Sequence, residues 1–308
     1  VIHWLYEDGI GEARAALVRD DRIVAARIEL PGTLRVGTVA MARLTDRTIA
    51  TLDDGSEAAL DRPPPGLTLG ARLTVVVTRE AIPEPGRAKR AKARPCDGVP
   101  CPGPDLLARI AATGHPVRFP AAHEPDSLER AGWSEVLEEA TTGEIAFPGG
   151  ALRMTPTPAM TLFDVDGDGD LETLSVRAAT AVAHAIRRHG IGGSIGIDFP
   201  TLAGKAPRQA VAAALDAALA APFERTAVNG FGFLQIVRPR PRASLPELLR
   251  ADTVAAMARA ALRMIARVPA GAPNRHRLSP AVRARIEGTP DWCDALVQRT
   301  GRMPMFDS

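Results

Sequence analysis

Three carboxylates on two short apolar runs carry most of the chemistry available to this sequence. Thr161-Leu-Phe-Asp-Val-Asp166 ends one run in Asp164, and Gly192-Gly-Ser-Ile-Gly-Ile-Asp198 ends another in Asp198. A helix-patterned stretch separates them. In a strand–helix–strand unit the strands run parallel, so residues at their C-terminal ends share one edge of the sheet. Two acids there can share a hard cation. Mg²⁺ takes oxygen ligands and keeps most of its water, so two carboxylates and substrate phosphate oxygens suffice. Asp164 and Asp198 are the expected catalytic metal ligands, for Mg²⁺ or its substitute Mn²⁺. Asp166, two residues on, is a third ligand or a positioner of water. The chemistry expected is metal-assisted attack on an anionic substrate. On spacing alone, the alternative that these acids merely end strands facing solvent stays open. Asp164-x-Asp166-x-Asp168-Gly169 also copies the opening of a calcium loop. The position where that loop needs a bidentate Glu holds Ser175, however, and a strand rather than a helix precedes it.

The elements that must position these acids are legible in the pattern. Residues 171–189 place Leu174, Ala178, Val182, Ala185 and Ile186 on one helical face, with Gly190 as the stop. Pro207 opens a second helix with the stripe Val211, Leu215 and Leu219, and Phe231–Val237 reads as a third strand. Ser244-x-x-Glu247 forms a capping box for a long helix running towards Arg267. Upstream, residues 12–30 alternate as two strands around Asp20-Asp21. Short β-type runs over 34–80, broken at Asp53-Asp54-Gly55 and Pro63-Pro64-Pro65-Gly66, predict a small barrel. Pro83 to Pro104 reads as a Pro/Gly/basic linker or long loop, followed by helical segments at 105–112 and 127–139. The fold class is α/β with a small barrel.

Composition sets the bounds. With 308 residues, 45% hydrophobic and 24% charged, the chain fits one to three compact units. It has no bilayer-length apolar run, and the start Val1-Ile-His-Trp-Leu lacks a signal-peptide layout, so a cytoplasmic protein is expected. A net charge of +2 announces no polyanion partner by itself. Cys96, Cys101 and Cys293 form no Cys-x-x-Cys pair, which argues against a disulfide framework or zinc knuckle.

From Gly132 to Arg242 the chain resembles the ribonuclease E/G family. The resemblance lies in Phe147-Pro-Gly-Gly150 leading into Ala159–Asp166, in Gly192-Gly-Ser-Ile-Gly-Ile-Asp-Phe199, and in Gly230-Phe-Gly-Phe-Leu-Gln-Ile-Val-Arg-Pro-Arg240. It implies a Mg²⁺-dependent endoribonuclease that cuts single-stranded RNA to 5′-phosphate and 3′-hydroxyl products, with the metal-binding aspartates falling on Asp164 and Asp198. It also implies a split ribonuclease-H-like α/β part (1–34 and 95–150) with an inserted OB-type barrel and basic loop (35–94). A deoxyribonuclease-I-like catalytic subdomain (151–268) and a tail (269–308) would follow.

Departures from the family pattern accompany the match. The family's Asn is Asp166, its following Arg is lost within Gly167-Asp-Gly-Asp170, and its Arg before Phe-Gly is Gly230. Each change weakens phosphate binding, so a non-catalytic RNA-binding relative is the second reading, and a calcium-stabilised structural protein a third. The barrel carries no Phe, Trp or Tyr between Tyr6 and Phe119, and the family's aromatic positions fall near Thr51 and Ala59. Base stacking in this barrel is excluded by composition. The segment after the barrel is too short for the family's 5′-monophosphate sensor, and the zinc-link cysteines are missing. No 5′-end dependence is expected, and the assembly is a monomer or an oligomer without a zinc link.

RNA-binding cations are sought among arginines and three lysines. Arg238 and Arg240, with Arg242, alternate after the third strand and can track phosphates. Lys205 and Arg208 open a helix just past Asp198, where a helix N-terminus favours phosphate. The basic cluster Arg79, Arg87, Lys89, Arg90, Lys92 and Arg94 is expected to be a solvated loop, and Arg259, Arg263 and Arg267 a solvent face. His184 and His189 are expected in surface or capping roles.

Overall fold

The computed structural model describes residues 2–62, 65–84, 88–121, 124–269 and 271–307, so Pro63, Pro64 and Arg87 lie outside the described residues. Two compact units emerge. One comprises Val1–Gly32, Asp105–Ser134 and Leu248–Ser308, and the other Thr33–Pro104 and Glu135–Glu247. The chain opens with β1 (Ile2–Asp8), β2 (Ala13–Arg19) and β3 (Arg22–Glu29). Next come β4 (Val39–Asp46), β5 (Ile49–Leu52), β6 (Glu57–Leu60), β7 (Arg72–Arg79) and β8 (Ala91–Pro95). Then follow α1 (Leu106–Ala111), β9 (Val117–Arg118), α2 (Ser127–Arg130) and α3 (Trp133–Thr142). The centre holds β10 (Glu144–Phe147), β11 (Gly150–Pro156), β12 (Thr161–Gly167), α4 (Leu171–His189), β13 (Gly193–Asp198), α5 (Lys205–Ala218), β14 (Glu224–Arg225) and β15 (Phe233–Arg238). The chain finishes with α6 (Leu245–Ala251), α7 (Thr253–Ala266), β16 (Arg275–Arg277), α8 (Pro280–Glu287), α9 (Pro290–Thr300) and β17 (Met305–Asp307).

In the second unit a six-stranded sheet has the order β10-β11-β12-β13-β15-β14. Only β12 and β13 pair in parallel, as the intervening α4 requires. Phe163, Val165, Ile195, Ile197, Leu234 and Ile236 turn one way and form a core with Leu174, Ala178, Val182, Ile186, Val211 and Leu215 of α4 and α5. Each buried Val, Leu, Ile or Phe among them contributes about 1.5–3 kcal/mol. A one-residue slip would turn all six strand residues outward, so this core fixes the register of everything on the other face. Helix α4 is capped at its start by Asp170, which accepts from Thr173 N, and stops at Gly190 with φ 68°. Helix α5 begins two residues before Pro207, with Gly204 as its N-cap.

The same unit contains a closed barrel, β4-β5-β6-β8-β7. The linker expected from Pro83 to Pro104 is corrected here, since Ala91–Pro95 is the strand that closes it. Ala91 and Ala93 face the barrel core while Lys92 and Arg94 alternate outward. Two alanines give too weak an apolar signal for a strand to be read from sequence. The basic residues here are largely paired, Lys89 with Glu84 (2.5 Å), Arg90 with Glu57 (2.8 Å) and Lys92 with Asp61 (2.8 Å).

In the first unit a sheet of order β3-β2-β1-β9 packs Trp4, Ala15, Leu17 and Ala25 against Leu106 and Ile110 of α1. The long helix expected from Ser244 to Arg267 is two helices. Asp252 breaks it, and its carboxylate caps α7 by accepting from Ala255 N at 2.9 Å. The solvent face expected of Arg259, Arg263 and Arg267 is also overturned. Arg259 and Arg263 are buried, and the exposed side of α7 carries Met257 and Met264 instead. Arg259 pairs with Glu12 (2.7 Å), while Arg263 (2.6 Å) and Arg267 (3.2 Å) pair with Asp126.

His189 is likewise corrected from a surface role to full burial. Its Nε2 lies 3.1 Å from Glu139 Oε2, and Arg188 Nη1 donates to both oxygens of that carboxylate at 2.6 Å. Burial works hardest against the charge of Glu139, but the hydrogen bond from His189 and the charge of Arg188 outweigh it and hold the carboxyl below its ordinary range. A carboxylate depressed in the fold adds stability that is complete above its unfolded pKa, about 4.3, and is lost as pH falls through the lower folded value. Glu139→Gln is therefore expected to lower Tm near pH 7 and to bring the variant and wild-type curves together under acid, as circular dichroism melts would show. A constant gap at every pH would refute this.

Candidate active site

Asp164 and Asp198 are directly paired across the parallel β12–β13 ladder. Strand alternation puts Asp164, Asp166 and Asp198 on the face away from α4 and α5, and all three are exposed. Adjacent strands lie about 4.8 Å apart, so the two paired carboxylates stand side by side, while Asp166 is about 7 Å further along β12. Among the described residues the side chains of Asp164 and Asp198 have no hydrogen bond or ion pair. Like charges directly opposite one another in a sheet repel. A pair of hard oxygen donors without an ion-paired side chain among the described residues is what a divalent cation would relieve.

The surroundings are mixed in sign. Arg153 lies opposite Asp164 on β11 but bonds Glu144 at 3.0 Å. Glu144 first, and then Asp164 and Asp166, hold its guanidinium above the ordinary range. Sequence reasoning passed over Arg153, whose cross-strand position was the available signal. Asp170 is already engaged as the cap of α4, and Thr173 lowers its carboxyl pKa. Among the described residues no group of three or more His, Cys, Asp or Glu is placed to hold an ion, so a three-carboxylate loop of the calcium kind does not form. The pair Asp164 and Asp198 leaves most of a coordination shell to water and phosphate.

Of the expected cations, the fold brings Lys205 and Arg208 to this end of the sheet. The loop after Asp198 enters α5 at Gly204, which supplies no side-chain cap, so the first-turn amides point out unsatisfied by any cap side chain. Lys205 and Arg208 line a groove of about 510 Å³ with Gln209, Asp216, Arg225 and Val228. Arg225 is tied to Asp216 at 2.7 Å. Arg208 Nη1 would lie 3.7 Å from a Cβ built on Gly230.

Arg238 and Arg240 are not brought to the aspartates. Arg238 pairs with Gly193 while Asp198 pairs with Phe233, so Arg238 sits five residues away, about 16 Å along the sheet. It shares the helix side with Leu234 and Ile236, and burial lowers its pKa. Arg240 pairs with Glu247, and Arg242 with Glu80, the residue after β7, at 3.1 Å.

Residues 110–241 match the ribonuclease E/G family. Ribonuclease G of Escherichia coli K12 is 31% identical over 113 residues, which cover 33% of this chain and 23% of that protein. Ribonuclease G of Haemophilus influenzae is 34% identical over 113 residues with the same coverage, 33% and 23%. The match thus spans about a quarter of the length of the curated relatives. Among the described residues no helix is long and apolar enough to cross a membrane. Residues 110–241, which hold the paired aspartates and the strands that present them, are thus the part of the chain that is similar to the ribonuclease E/G family.

Proposed function

We propose that the protein is a metal-dependent endoribonuclease that cuts single-stranded RNA to 5′-phosphate and 3′-hydroxyl products, without sensing the 5′ end. The observation that carries this reading is the exposed Asp164–Asp198 pair on adjacent parallel strands, within a segment matched to a nuclease family. In this reading the sheet and its two helices form a deoxyribonuclease-I-like subdomain, the barrel is of the OB type, and the remaining α/β part is ribonuclease-H-like.

Asp164 and Asp198 would hold Mg²⁺, for which an all-carboxylate donor set is suited. When bound, Mg²⁺ supplies Lewis-acid polarisation and a water of lowered pKa. Asp166, on the same face of β12, would position water near the pair, and the proton released would pass to the solvent that this face meets. Lys205, Arg208 and the uncapped amides of α5 hold the phosphate next to Asp198. With Arg238 and Arg240 at the far end of the sheet, their part is contact with RNA away from the cut. The test is end-labelled single-stranded and duplex RNA, incubated with Mg²⁺ or with EDTA. Cleavage of the single strand only, dependent on Mg²⁺ and leaving ligatable 5′-phosphates, is expected. Binding without cleavage would favour the non-catalytic RNA-binding relative, to which Gly230 and Asp166 also point.

A further inference from the structure

Phe231 is 84% exposed, the most solvent-exposed large apolar side chain among the described residues. It is presented by a rigid turn rather than by a loose loop. Asn229 Oδ1 accepts from Phe231 N at 2.9 Å and from Phe233 N at 3.0 Å, and Asn229 O accepts from Gly232 N at 3.2 Å. The turn is fastened to the loop that leaves Asp198. Phe199 N donates to Gly232 O at 3.2 Å, and Thr201 Oγ1 donates to Phe231 O at 3.5 Å. Gly232 has φ 93°, and a Cβ there would fall 2.1 Å from Phe199 O, so no other residue fits this junction. By contrast, the other well-exposed phenylalanine, Phe119, rests its ring against Tyr6 at 5.8 Å.

Holding a bare phenyl ring in water on a fully bonded turn gains the fold nothing, because its apolar surface stays hydrated. The ring's neighbours indicate what covers it. On one side along the chain is the Asp198 strand end, and Arg208 lies beside Gly230. A flat apolar face with a cation beside its turn matches a single nucleic-acid strand, whose bases stack while its phosphates meet Lys or Arg. The barrel has no aromatic residue to offer in this role. We infer that Phe231 is a stacking platform for one nucleobase of the RNA, seated next to the bond presented to Asp164 and Asp198, with Arg208 on the adjoining phosphate. This rests on the nuclease reading given above.

The test uses single-stranded RNA carrying one 2-aminopurine, scanned along the strand, with Ca²⁺ in place of Mg²⁺ to hold cleavage back. Wild type is expected to quench the fluorophore at one position near the cut. Phe231→Ala should lose that quench and bind about 5- to 150-fold more weakly, the range for one stacked base. Phe231→Trp should restore both. An abasic site at the same position should make wild type and Phe231→Ala equal. Unchanged affinity and quench in Phe231→Ala overturns the inference while leaving the nuclease reading intact. So does an equal loss of affinity on the abasic strand. Failure of the wild type to bind RNA at all overturns both.

Discussion

Asp164→Asn and Asp198→Asn are each expected to lower single-turnover RNA cleavage by about 10²–10³-fold, the scale of losing one group that stabilises charge at a reacting centre. The double variant should be little worse than either single one, because in the proposed function the two carboxylates serve one cation site and such losses do not add. Folding should be unaffected. Both side chains are exposed and, among the described residues, hold no partner, and such surface changes stay within about 0.5 kcal/mol. Removing one of two adjacent like charges even favours the folded sheet slightly. A loss of cleavage accompanied by a fall in Tm would mean that the acids serve the fold. Retained cleavage in both single variants would place the chemistry elsewhere.

The largest effect on stability is expected at Glu12. Its carboxylate is 6% exposed and takes Arg259 Nε at 2.7 Å and Arg14 Nη2 at 2.9 Å, with Arg14 itself 1% exposed. Glu12→Ala takes the paired carboxylate from the buried Arg259 and leaves Arg14 with Glu7 (2.6 Å), which costs about 3–5 kcal/mol. Glu12→Gln should cost less, since it keeps the volume and one acceptor oxygen. All three tryptophans, Trp4, Trp133 and Trp292, lie in the same unit as this network. Their fluorescence in urea therefore reports this unit directly. A loss under about 1 kcal/mol in Glu12→Ala would show that water reaches and screens these charges.

The placement of the paired aspartates was legible because it depends on short-range patterns. Apolar alternation in Leu162–Val165 and Ile195–Ile197 fixed which face the aspartates take, and Gly190 marked the end of the helix that makes the two strands parallel. What escaped depends on partners distant in sequence. Arg259, Arg263 and Arg267 repeat at helical spacing as a solvent face would. Their inward turn follows from Glu12 and Asp126, which lie 247 and 137 positions from Arg259 and Arg263. Strand β8 was hidden because its inward residues are Ala91 and Ala93, too small to mark a buried face. The apolar run from Phe231 predicts a strand that starts there. The Asn229 side chain instead takes its amide into a turn and delays the strand to Phe233. Arg238 and Arg240 carried the right charge, but β15 runs antiparallel to β13, which sends them to the end opposite the acids.

The most direct test of the central claim is single-turnover cleavage of a 5′-labelled, A/U-rich single-stranded RNA in Mg²⁺ by wild type and by the Asp164→Asn/Asp198→Asn double variant. Equal amounts of each protein, shown to be folded by its melting curve, would be compared. Discrete Mg²⁺-dependent fragments from the wild type, with at least about 10²-fold slower cleavage by the double variant, is the result predicted. The same fragments appearing at the same rate from both proteins would contradict it.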